Sequence, residues 1–291
     1  MNAIDSDTRD IALVSVVIPC YHCANTIGRA VDSIAKQTLR PLEVILVNDG
    51  SEDDTLEVMK ELVSNYPPGW LKVINLTKNY GVSTARNIGW DASSNSSQFI
   101  AFLDADDAWL PNKIQLQYAW MTLHPGVMVT GHKAFMVNPD SSSAPLYSPI
   151  EKFTADFIPF KKLLASNPFV TPSFMIQRNI KLRFDPKSRY AEDYYFLLRI
   201  GADGHQIVIL TCPLVWVFKE FGISGASKYL LKMRLGDLNN YYQLWYLKKI
   251  NFLTMIICIL FSSLKFSSLI ILGPKRHESF NRWLNNSHDK I

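Results

Sequence analysis

Three carboxylates within four residues are the feature of this chain most able to do chemistry. Asp104, Asp106 and Asp107 directly follow the apolar run 99–103, which predicts a buried strand. Like charges this close repel and raise one another's pKa, so their usual partner is a divalent cation, often one carrying phosphate. The pattern favours a metal-assisted reaction on a phosphorylated substrate. The alternative from these residues alone is a solvated acidic turn that caps a helix beginning near Leu110.

Strand and helix patterns alternate before and around this acidic run. The predicted strands are 14–18, 42–47, 71–76 and 98–103. Helices are predicted at 26–36 and 83–92. A further helix is predicted after Ser51 and Asp54, which have the spacing of a capping box. This alternation predicts an α/β fold whose Rossmann-like sheet is mostly parallel and flanked by helices. Ligands bind such sheets at the carboxyl ends of the strands. The loop at Asp49 and the acidic run should therefore face one crevice.

The second half of the chain shows weaker patterns. Residues 138–150 are rich in turn formers and predict a loop insertion. Further strands are expected at 169–176 and 207–218, and Glu192-Asp193 opens a helical stretch between them. Without other information, these two carboxylates would be explained by their favourable interaction with a helix N-terminus.

Charge and cysteine usage restrict the partners and the compartment. The 291 residues carry a net charge of only +4, but lysines and arginines concentrate in the last 65 residues. This basic end indicates an anionic surface, and membrane lipid is favoured because nothing else supports nucleic acid. Cys20 and Cys23 have the CxxC spacing of zinc and redox sites, but no second pair completes a site. The acidic, non-apolar start is unlike a signal peptide, so a reducing cytoplasm is expected.

The segment 252–273 is almost entirely apolar and has basic residues on both sides. It is long enough to span a bilayer. Lys265 within it would oppose full insertion by roughly 2.5–3.5 kcal/mol. Because Thr254, Ser262, Lys265 and Ser268 recur at helical spacing, an amphipathic helix at the membrane surface is favoured. A membrane span and a plain core helix are the alternatives.

The motifs together resemble one known family. They read VSVVIPCY at 14–21, KQTLRPLEVILVNDGSEDDT at 36–55, KNYGVSTARNIG at 78–89, FIAFLDADDAWLPNKI at 99–114 and YAEDYYFLLRIG at 190–201. In this order and spacing the set resembles family 2 glycosyltransferases of the GT-A fold, over about residues 13–225. The resemblance implies inverting transfer of a sugar from a nucleotide diphosphate donor, usually UDP, with Mn²⁺ or Mg²⁺ as cofactor.

The resemblance also implies roles for single residues. Pro19 and Tyr21 would line the nucleotide pocket, and Asp49 would bind the base. Arg86 would reach the base or the phosphates. The structural alternatives are a turn residue for Asp49 and an exposed helical arginine for Arg86.

For the acidic run, the resemblance implies that Asp104 contacts ribose and Asp106 ligates the metal. Asp107 would support this site or cap the following helix. Asp193 would be the catalytic base that takes the proton of the acceptor hydroxyl. Two positions depart from the family pattern. His22 stands where many relatives have asparagine, and segment 217–224 lacks a histidine for which Lys219 is a candidate replacement.

The predicted organisation is a flexible N-terminus (1–12), a GT-A domain (13–225) and a basic, helical, membrane-associating tail (226–291). The predicted function is transfer of glucose, galactose or an N-acetylhexosamine from a UDP-sugar to a lipid-linked (undecaprenyl diphosphate) glycan. This would occur in O-antigen or capsule synthesis, at the cytoplasmic face of the bacterial inner membrane, through a peripheral or singly anchored tail. The alternatives are a catalytically silent nucleotide-sugar scaffold and a metal-dependent nucleotidyltransferase.

Overall fold

The computed structural model describes residues 11–137, 153–218 and 229–288, with side chains up to residue 271. The strands are β1 (Ile11–Cys20), β2 (Arg40–Asn48), β3 (Leu71–Asn75), β4 (Phe99–Phe102), β5 (Ala108–Trp109), β6 (Val127–Met136), β7 (Ala155–Phe157), β8 (Met175–Gln177) and β9 (Gln206–Val217). The helices are α1 (Ile27–Ala35), α2 (Thr55–Ser64), α3 (Val82–Asp91), α4 (Lys113–Leu123), α5 (Phe160–Ala165), α6 (Glu192–Ala202), α7 (Leu230–Tyr246) and α8 (Phe252–His288). The insertion predicted at 138–150 lies outside the described residues.

The sheet is mixed. Its strand order is β3-β2-β1-β4-β8-β6-β9-β5, with β7 also paired to β9. Strands β1 to β4 pair in parallel, as the alternating pattern predicts. Beyond them, β8 runs antiparallel to both β4 and β6, and β5 and β7 run antiparallel to β9. Strands β6 and β9 also pair in parallel. The predicted α/β fold is confirmed, and the acidic run follows β4 of the parallel set β1 to β4.

The central strands are covered on both faces. Alternation along β1 points Val17 towards the core that includes α3, and Val16 and Ile18 towards the core that includes α1. Both faces are therefore apolar, which explains the continuous β-branched run of the sequence. The two cores fix the carboxyl ends of the strands, and with them the crevice.

Three local predictions differ from the structure. In the strand predicted at 169–176, Thr171–Ser173 forms a 3₁₀ turn and only Met175–Gln177 is strand, since Pro172 has no N–H to donate. Helix α2 begins without a side-chain cap, because the Ser51 hydroxyl accepts the N–H of His22 instead. Helix α4 begins at Lys113, because the preceding pair Ala108–Trp109 forms strand β5 against β9.

Helix α8 turns its polar residues towards the protein. Arg234 of α7 donates to the hydroxyls of Ser262 and Ser263, and Lys265 donates to the carbonyl of Ala165 at 3.0 Å. The outward face carries exposed apolar side chains, among them Leu253, Ile257, Leu260, Leu264 and Ile271.

The segment Phe252–Ile271 is long and apolar enough to cross a membrane, and only 22% of it is buried. The core-helix alternative is therefore wrong.

Gly89 of α3 provides a test of how closely this helix packs on the sheet. A Cβ at Gly89 would lie 2.4 Å from Cγ1 of the buried, β-branched Val17. We expect Gly89→Ala to destabilise the protein by about 1–3 kcal/mol in urea unfolding, because overpacking forces the neighbours apart. The control is Gly28→Ala in α1, where nothing lies within 4 Å of the added methyl. Its higher helix propensity should stabilise by up to about 1 kcal/mol. Equal effects of the two substitutions would contradict the close contact.

Candidate active site

The loop after β2 folds against the loop before α3. Gly50 has a φ of +67°, and a Cβ there would lie 2.3 Å from the carbonyl carbon of Lys78, so only glycine fits. This places the carboxylate of Asp49 where it accepts the backbone N–H groups of Tyr80 (2.8 Å) and Gly81 (2.9 Å). Asp49 is buried and ties the two loops together. Each of its oxygens keeps a second lone pair, so binding of a base stays a prediction.

The loop after β1 lies beside the Asp49 loop. Pro19 is near the end of β1, and the ring of Tyr21 is half-exposed and stacked on His22 with 4.1 Å between ring centroids. His22 is held in turn by the Ser51 hydroxyl and by the N–H of Glu52, which donates to its Nε2. Tyr21 thus offers an accessible aromatic face beside the Asp49 loop, and its stacking partner His22 is fixed by that loop.

The CxxC pair lies under the loop after β1. Cys20 and Cys23 are both free, buried thiols, and burial raises the pKa of Cys20 well above its usual value. The backbone N–H of Cys23 donates to the hydroxyl of Thr55 at 2.8 Å. Both side chains pack in the apolar core that includes α1.

The acidic run forms a compact group of oxygens. One ligand oxygen from each of Asp104, Asp106 and Asp107 lies within 4.8 Å of the others. Asp107 is only 1% exposed, and its carboxylate accepts the N–H of Phe218 at 3.2 Å. It therefore does not cap α4, and the solvated-turn alternative is wrong for this residue. The backbone carbonyl of Asp106 accepts from Arg29.

The donor set of this acidic run fits a hard divalent cation. Carboxylate oxygens are preferred by Mg²⁺ and Mn²⁺, and three of them this close favour a bound cation electrostatically. No other such group of acidic, histidine or cysteine ligands is present among the residues that the structure describes.

Arg86 connects the acidic run to helix α6. Its guanidinium is 3% exposed and pairs with Asp104 at 3.0 Å and with Glu192 at 2.9 Å. Both contacts are charge-assisted hydrogen bonds, which are roughly twice as strong as neutral ones. The alternative of an exposed helical arginine is wrong. The partner Glu192 was missed from sequence, where it was explained only by the helix N-terminus.

The start of α6 has a strained backbone supported by α7. Ala191, directly before the helix, has a φ of +55°, in the left-handed region that alanine rarely adopts. The Asn240 side chain donates to the Ala191 carbonyl at 3.0 Å. A Cβ at Gly236, one turn earlier in α7, would lie 2.5 Å from the Tyr190 carbonyl oxygen. Close contact with α7 therefore fixes the backbone at the start of α6, and with it the direction in which the Asp193 side chain points.

Asp193 lies in a polar but confined setting. One carboxylate oxygen accepts from Asn167 and from Thr171, both at 3.3 Å, and the other accepts its neighbour's N–H. Burial, and then the charge of Glu192, raise the pKa of Asp193 to about 6, against a lowering by Arg86. A carboxylate with this pKa is ionised at neutral pH and is a stronger base than an exposed aspartate.

A cavity of about 550 Å³ is lined by Asp104, Asp107 and Asp193, whereas Pro19, Tyr21, Asp49, Arg86 and Asp106 are not among its lining residues. Asp104 and Asp107 line one side and Asp193 another, so the structure brings together residues that lie 86 or more positions apart in sequence. The third side consists of α7 and α8 residues that sequence reasoning missed, among them Arg234, Asp237 and Lys265. For Lys265, the sequence signal was the helical spacing of the polar residues within the apolar segment 252–273, which places them on one face of the helix. Segment 219–224, including Lys219, lies outside the described residues.

The family comparison decides the class of this site. The sequence model of the family described as "Glycosyl transferase family 2" matches residues 15–183. The chain belongs to glycosyl transferase family 2. The match covers most of β1, all of β2 to β4, the acidic run and Arg86, and it confirms the resemblance seen in the motifs. It ends before Asp193, whose role stays a prediction.

Curated relatives of this family 2 transferase include enzymes of bacterial polysaccharides. It is 42% identical over 113 residues to the chondroitin synthase of Pasteurella multocida. The aligned region covers 38% of this chain but only 11% of that synthase. It is 27% identical over 219 residues to WfgD of Escherichia coli, "UDP-Glc:alpha-D-GlcNAc-diphosphoundecaprenol beta-1,3-glucosyltransferase". That match covers 75% of this chain and 80% of WfgD.

Solved structures share the fold of the transferase. TarS of S. aureus (residues 1–349), in complex with UDP, superposes with a TM-score of 0.57 at 20% identity, covering 78% of this chain and 65% of that one. The mannosyltransferase PcManGT of Pyrobaculum calidifontis, in complex with GDP-Man and Mn²⁺, gives a TM-score of 0.57 at 16% identity, covering 92% and 77%. At these identities the likeness supports the GT-A-like fold alone.

Replacing Arg86 tests whether the transferase depends on the buried ion pairs. We expect Arg86→Met to destabilise by about 3–5 kcal/mol in urea unfolding, because Asp104 and Glu192 would keep their charges without a partner. The control is Lys36→Met, which breaks the exposed pair of Lys36 with Asp32 and should change stability by less than about 1 kcal/mol. A loss of under about 1 kcal/mol for Arg86→Met would show that the bridge is not a structural requirement.

Proposed function

We propose that this chain is an inverting glycosyltransferase that moves a sugar from a UDP-sugar to a hydroxyl of a lipid-linked glycan. The observation that carries the proposal is the shared cavity, which Asp104 and Asp107 of the acidic run line together with Asp193. An inverting displacement needs a cation site for the leaving diphosphate and one base for the attacking hydroxyl. The two sides of the cavity offer these two kinds of group.

The donor nucleotide is proposed to bind over the ends of β1 and β2. The half-exposed ring of Tyr21 offers a stacking face beside Pro19, and Asp49 offers carboxylate acceptors for the N–H of a base. Arg86 supports the donor side through Asp104, which is proposed to contact ribose. Two comparisons support a UDP-sugar as donor. The name of the relative WfgD includes UDP-Glc, and TarS was solved in complex with UDP.

The cation is proposed to be Mn²⁺ or Mg²⁺, with Asp106 as its main ligand. Asp104 also pairs with Arg86, and the carboxylate of Asp107 also accepts the Phe218 N–H, and both are proposed to support the site. When bound, such a cation stabilises the negative charge that develops on the departing diphosphate. The Mn²⁺ complex of PcManGT supports this assignment.

Asp193 is the proposed catalytic base. Its carboxylate accepts the proton of the acceptor hydroxyl while that oxygen bonds to the anomeric carbon and the diphosphate departs. General-base assistance of this kind contributes about 10²–10⁴-fold to the rate. Asn167 and Thr171 both donate to one oxygen of this carboxylate and so orient it.

The acceptor is proposed to come from a bacterial membrane. The outward face of α8 is apolar, and residues 226–291 are proposed to bring the active site to the cytoplasmic face of the inner membrane. WfgD acts, by name, on a diphosphoundecaprenol acceptor. We propose a corresponding acceptor here, in the synthesis of an O-antigen or capsule, with glucose, galactose or an N-acetylhexosamine as the transferred sugar.

Two other functions fit less of the structure. A silent nucleotide-sugar scaffold needs no carboxylate with a pKa near 6 facing the acidic run, yet Asp193 is held there by two side chains. A nucleotidyltransferase would need a glycine-rich phosphate loop after the first strand. The loop after β1 contains Pro19, Tyr21 and His22 instead.

Product analysis with a panel of UDP-sugars tests the proposed function. We expect a metal-dependent transfer of one sugar to a short-chain GlcNAc-diphospholipid, lost on adding a chelator and restored by Mn²⁺ or Mg²⁺. Asp193→Asn should bind the UDP-sugar normally but transfer at least a hundredfold more slowly. Nucleotide exchange with diphosphate would instead support the nucleotidyltransferase, and sugar-nucleotide binding without any product would support the scaffold.

The same assay gives a pH dependence for Asp193. The base must be ionised, so kcat/KM should fall about tenfold per pH unit below about 6 and level off above it. The residual activity of Asp193→Asn should lack this acid limb. Near-normal turnover of the variant would remove Asp193 from the role of base.

The outward face of α8 predicts membrane binding. Replacing Leu253, Leu260 and Leu264 together by glutamate should release the protein from sedimenting vesicles, because charges on this face oppose its burial in lipid. The fold should survive, since these side chains point away from the protein. Matched glutamate substitutions at the exposed Leu231 and Leu235 of α7 serve as the control. Unchanged sedimentation of the α8 variant would count against this face.

A further inference from the structure

One wall of the active-site cavity consists of α7 and α8. It stands beside Asp193 and carries two cations, Arg234 from α7 and Lys265 from α8, together with the carboxyl group of Asp237. None of these residues belongs to the motifs that define the donor side. The wall therefore faces the part of the cavity left for the acceptor.

Arg234 is a buried guanidinium without an ionic partner. It is 7% exposed, and its hydrogen bonds go to neutral groups, the hydroxyls of Ser262 and Ser263 and the carbonyl of Ile259. Within the described residues, no carboxylate oxygen lies within 4.0 Å of it, in contrast to Arg86 with two. Burial lowers its pKa, although Asp237 one turn away opposes that shift. Desolvating such a cation is unfavourable unless an anion joins it.

Lys265 extends this wall towards the base. It lies three residues after Ser262 on α8, so the two share one helix face. Its ammonium group donates to the carbonyl of Ala165 at 3.0 Å. Two residues further along the chain, Asn167 donates to Asp193. Since two residues span at most about 7 Å, the cationic wall and the base are close neighbours.

Apolar side chains share this wall with the cations. Phe266 and Leu269 of α8 line the cavity together with Lys265. The same helix carries the exposed apolar face described above. A base, two cations and apolar side chains therefore line one cavity. An amphiphile with a sugar, an anionic linker and a lipid chain offers a matching group to each of the three.

We propose that Arg234 and Lys265 bind the diphosphate of an isoprenoid-diphosphate-linked acceptor and so position its sugar hydroxyl at Asp193. This inference rests on the proposed function and assigns its acceptor subsite. An arginine fork binds phosphate oxygens in pairs, and a lysine adds a mobile point charge. Asp237 lies on the same wall, and its negative charge reduces the net charge of the wall to +1. Arg234 and Lys265 are positioning residues, since neither acts on the reacting atoms.

Binding of farnesyl diphosphate tests the subsite without knowledge of either sugar. The full-length protein in detergent is first saturated with UDP and the metal ion, so that the donor site is filled, and the lipid is then titrated calorimetrically. Arg234→Gln and Lys265→Gln should each weaken binding at least tenfold. Arg234→Lys should recover part of the loss. Lys232→Gln, which removes an exposed cation from the same helix, should change the dissociation constant less than twofold.

The carboxyl group of Asp237 gives a test of opposite sign. Asp237→Asn removes a negative charge from the wall and should tighten the binding of farnesyl diphosphate severalfold at pH 8. Weaker binding in this variant would contradict a phosphate site. Unfolding temperatures and UDP affinities equal to wild type show that each variant folds. If Arg234→Gln fails this criterion, Lys265→Gln and Asp237→Asn still decide the question.

Further ligands identify the source of the anion. Farnesol should bind wild type and the glutamine variants alike, and inorganic diphosphate should compete with farnesyl diphosphate. Vesicles containing phosphatidylglycerol should bind all variants equally. If the glutamine variants lose vesicle binding but keep farnesyl diphosphate binding, the wall binds lipid headgroups and the inference is wrong.

The transfer reaction separates this inference from the proposed function. With a diphospholipid acceptor, the glutamine variants should raise the acceptor KM at least tenfold and leave kcat within about twofold. With an octyl glycoside of the same sugar they should match wild type. Equal losses on both acceptors would overturn the subsite but leave the transferase intact. A wild-type protein that binds farnesyl diphosphate but transfers no sugar would overturn the proposed function alone.

Discussion

The active site depends on one buried ion bridge. Arg86 pairs with Asp104 at the end of β4 and with Glu192 at the start of α6, and it is almost inaccessible to water. A guanidinium buried this deeply requires both carboxylates, and each carboxylate requires it. The bridge thereby sets the position of the acidic run relative to Asp193, which follows Glu192 directly. The bridge thus connects the two segments whose residues Asp104 and Asp193 line the same cavity.

The remaining positions are set by backbone packing. Gly50 allows the Asp49 loop to lie against the loop before α3, where Asp49 accepts two N–H groups. Ala191 keeps its left-handed conformation because Asn240 of α7 holds its carbonyl. The strain at such a position, of order 1–3 kcal/mol, persists only where the surrounding contacts determine it. Helix α7 is thus as necessary to the geometry of Asp193 as the sheet itself.

Helix α8 lines the same cavity together with α7. Its polar residues contact α7 and the Ala165 carbonyl, so its apolar residues point outwards. An amphipathic helix that lies alone on a membrane would turn its polar face to water. Here the protein takes the place of that water, and a single helix joins the apolar exterior to the interior of the active site. This arrangement suits an acceptor that is held in a lipid phase.

The sequence by itself determined the parallel strands β1 to β4 and the family, because these depend on local periodicity and on motifs of adjacent residues. Only the tertiary structure decided which charges meet. Arg86 and Glu192 are 106 residues apart, and Lys265 and Ala165 are 100 apart. Strands β5, β6 and β7 and the 3₁₀ turn at Pro172 were also missed, since long-range pairing overrides weak local preference there. Sequence periodicity indicates that a side chain is buried, but the residue that it contacts depends on how the distant segments of the chain pack together.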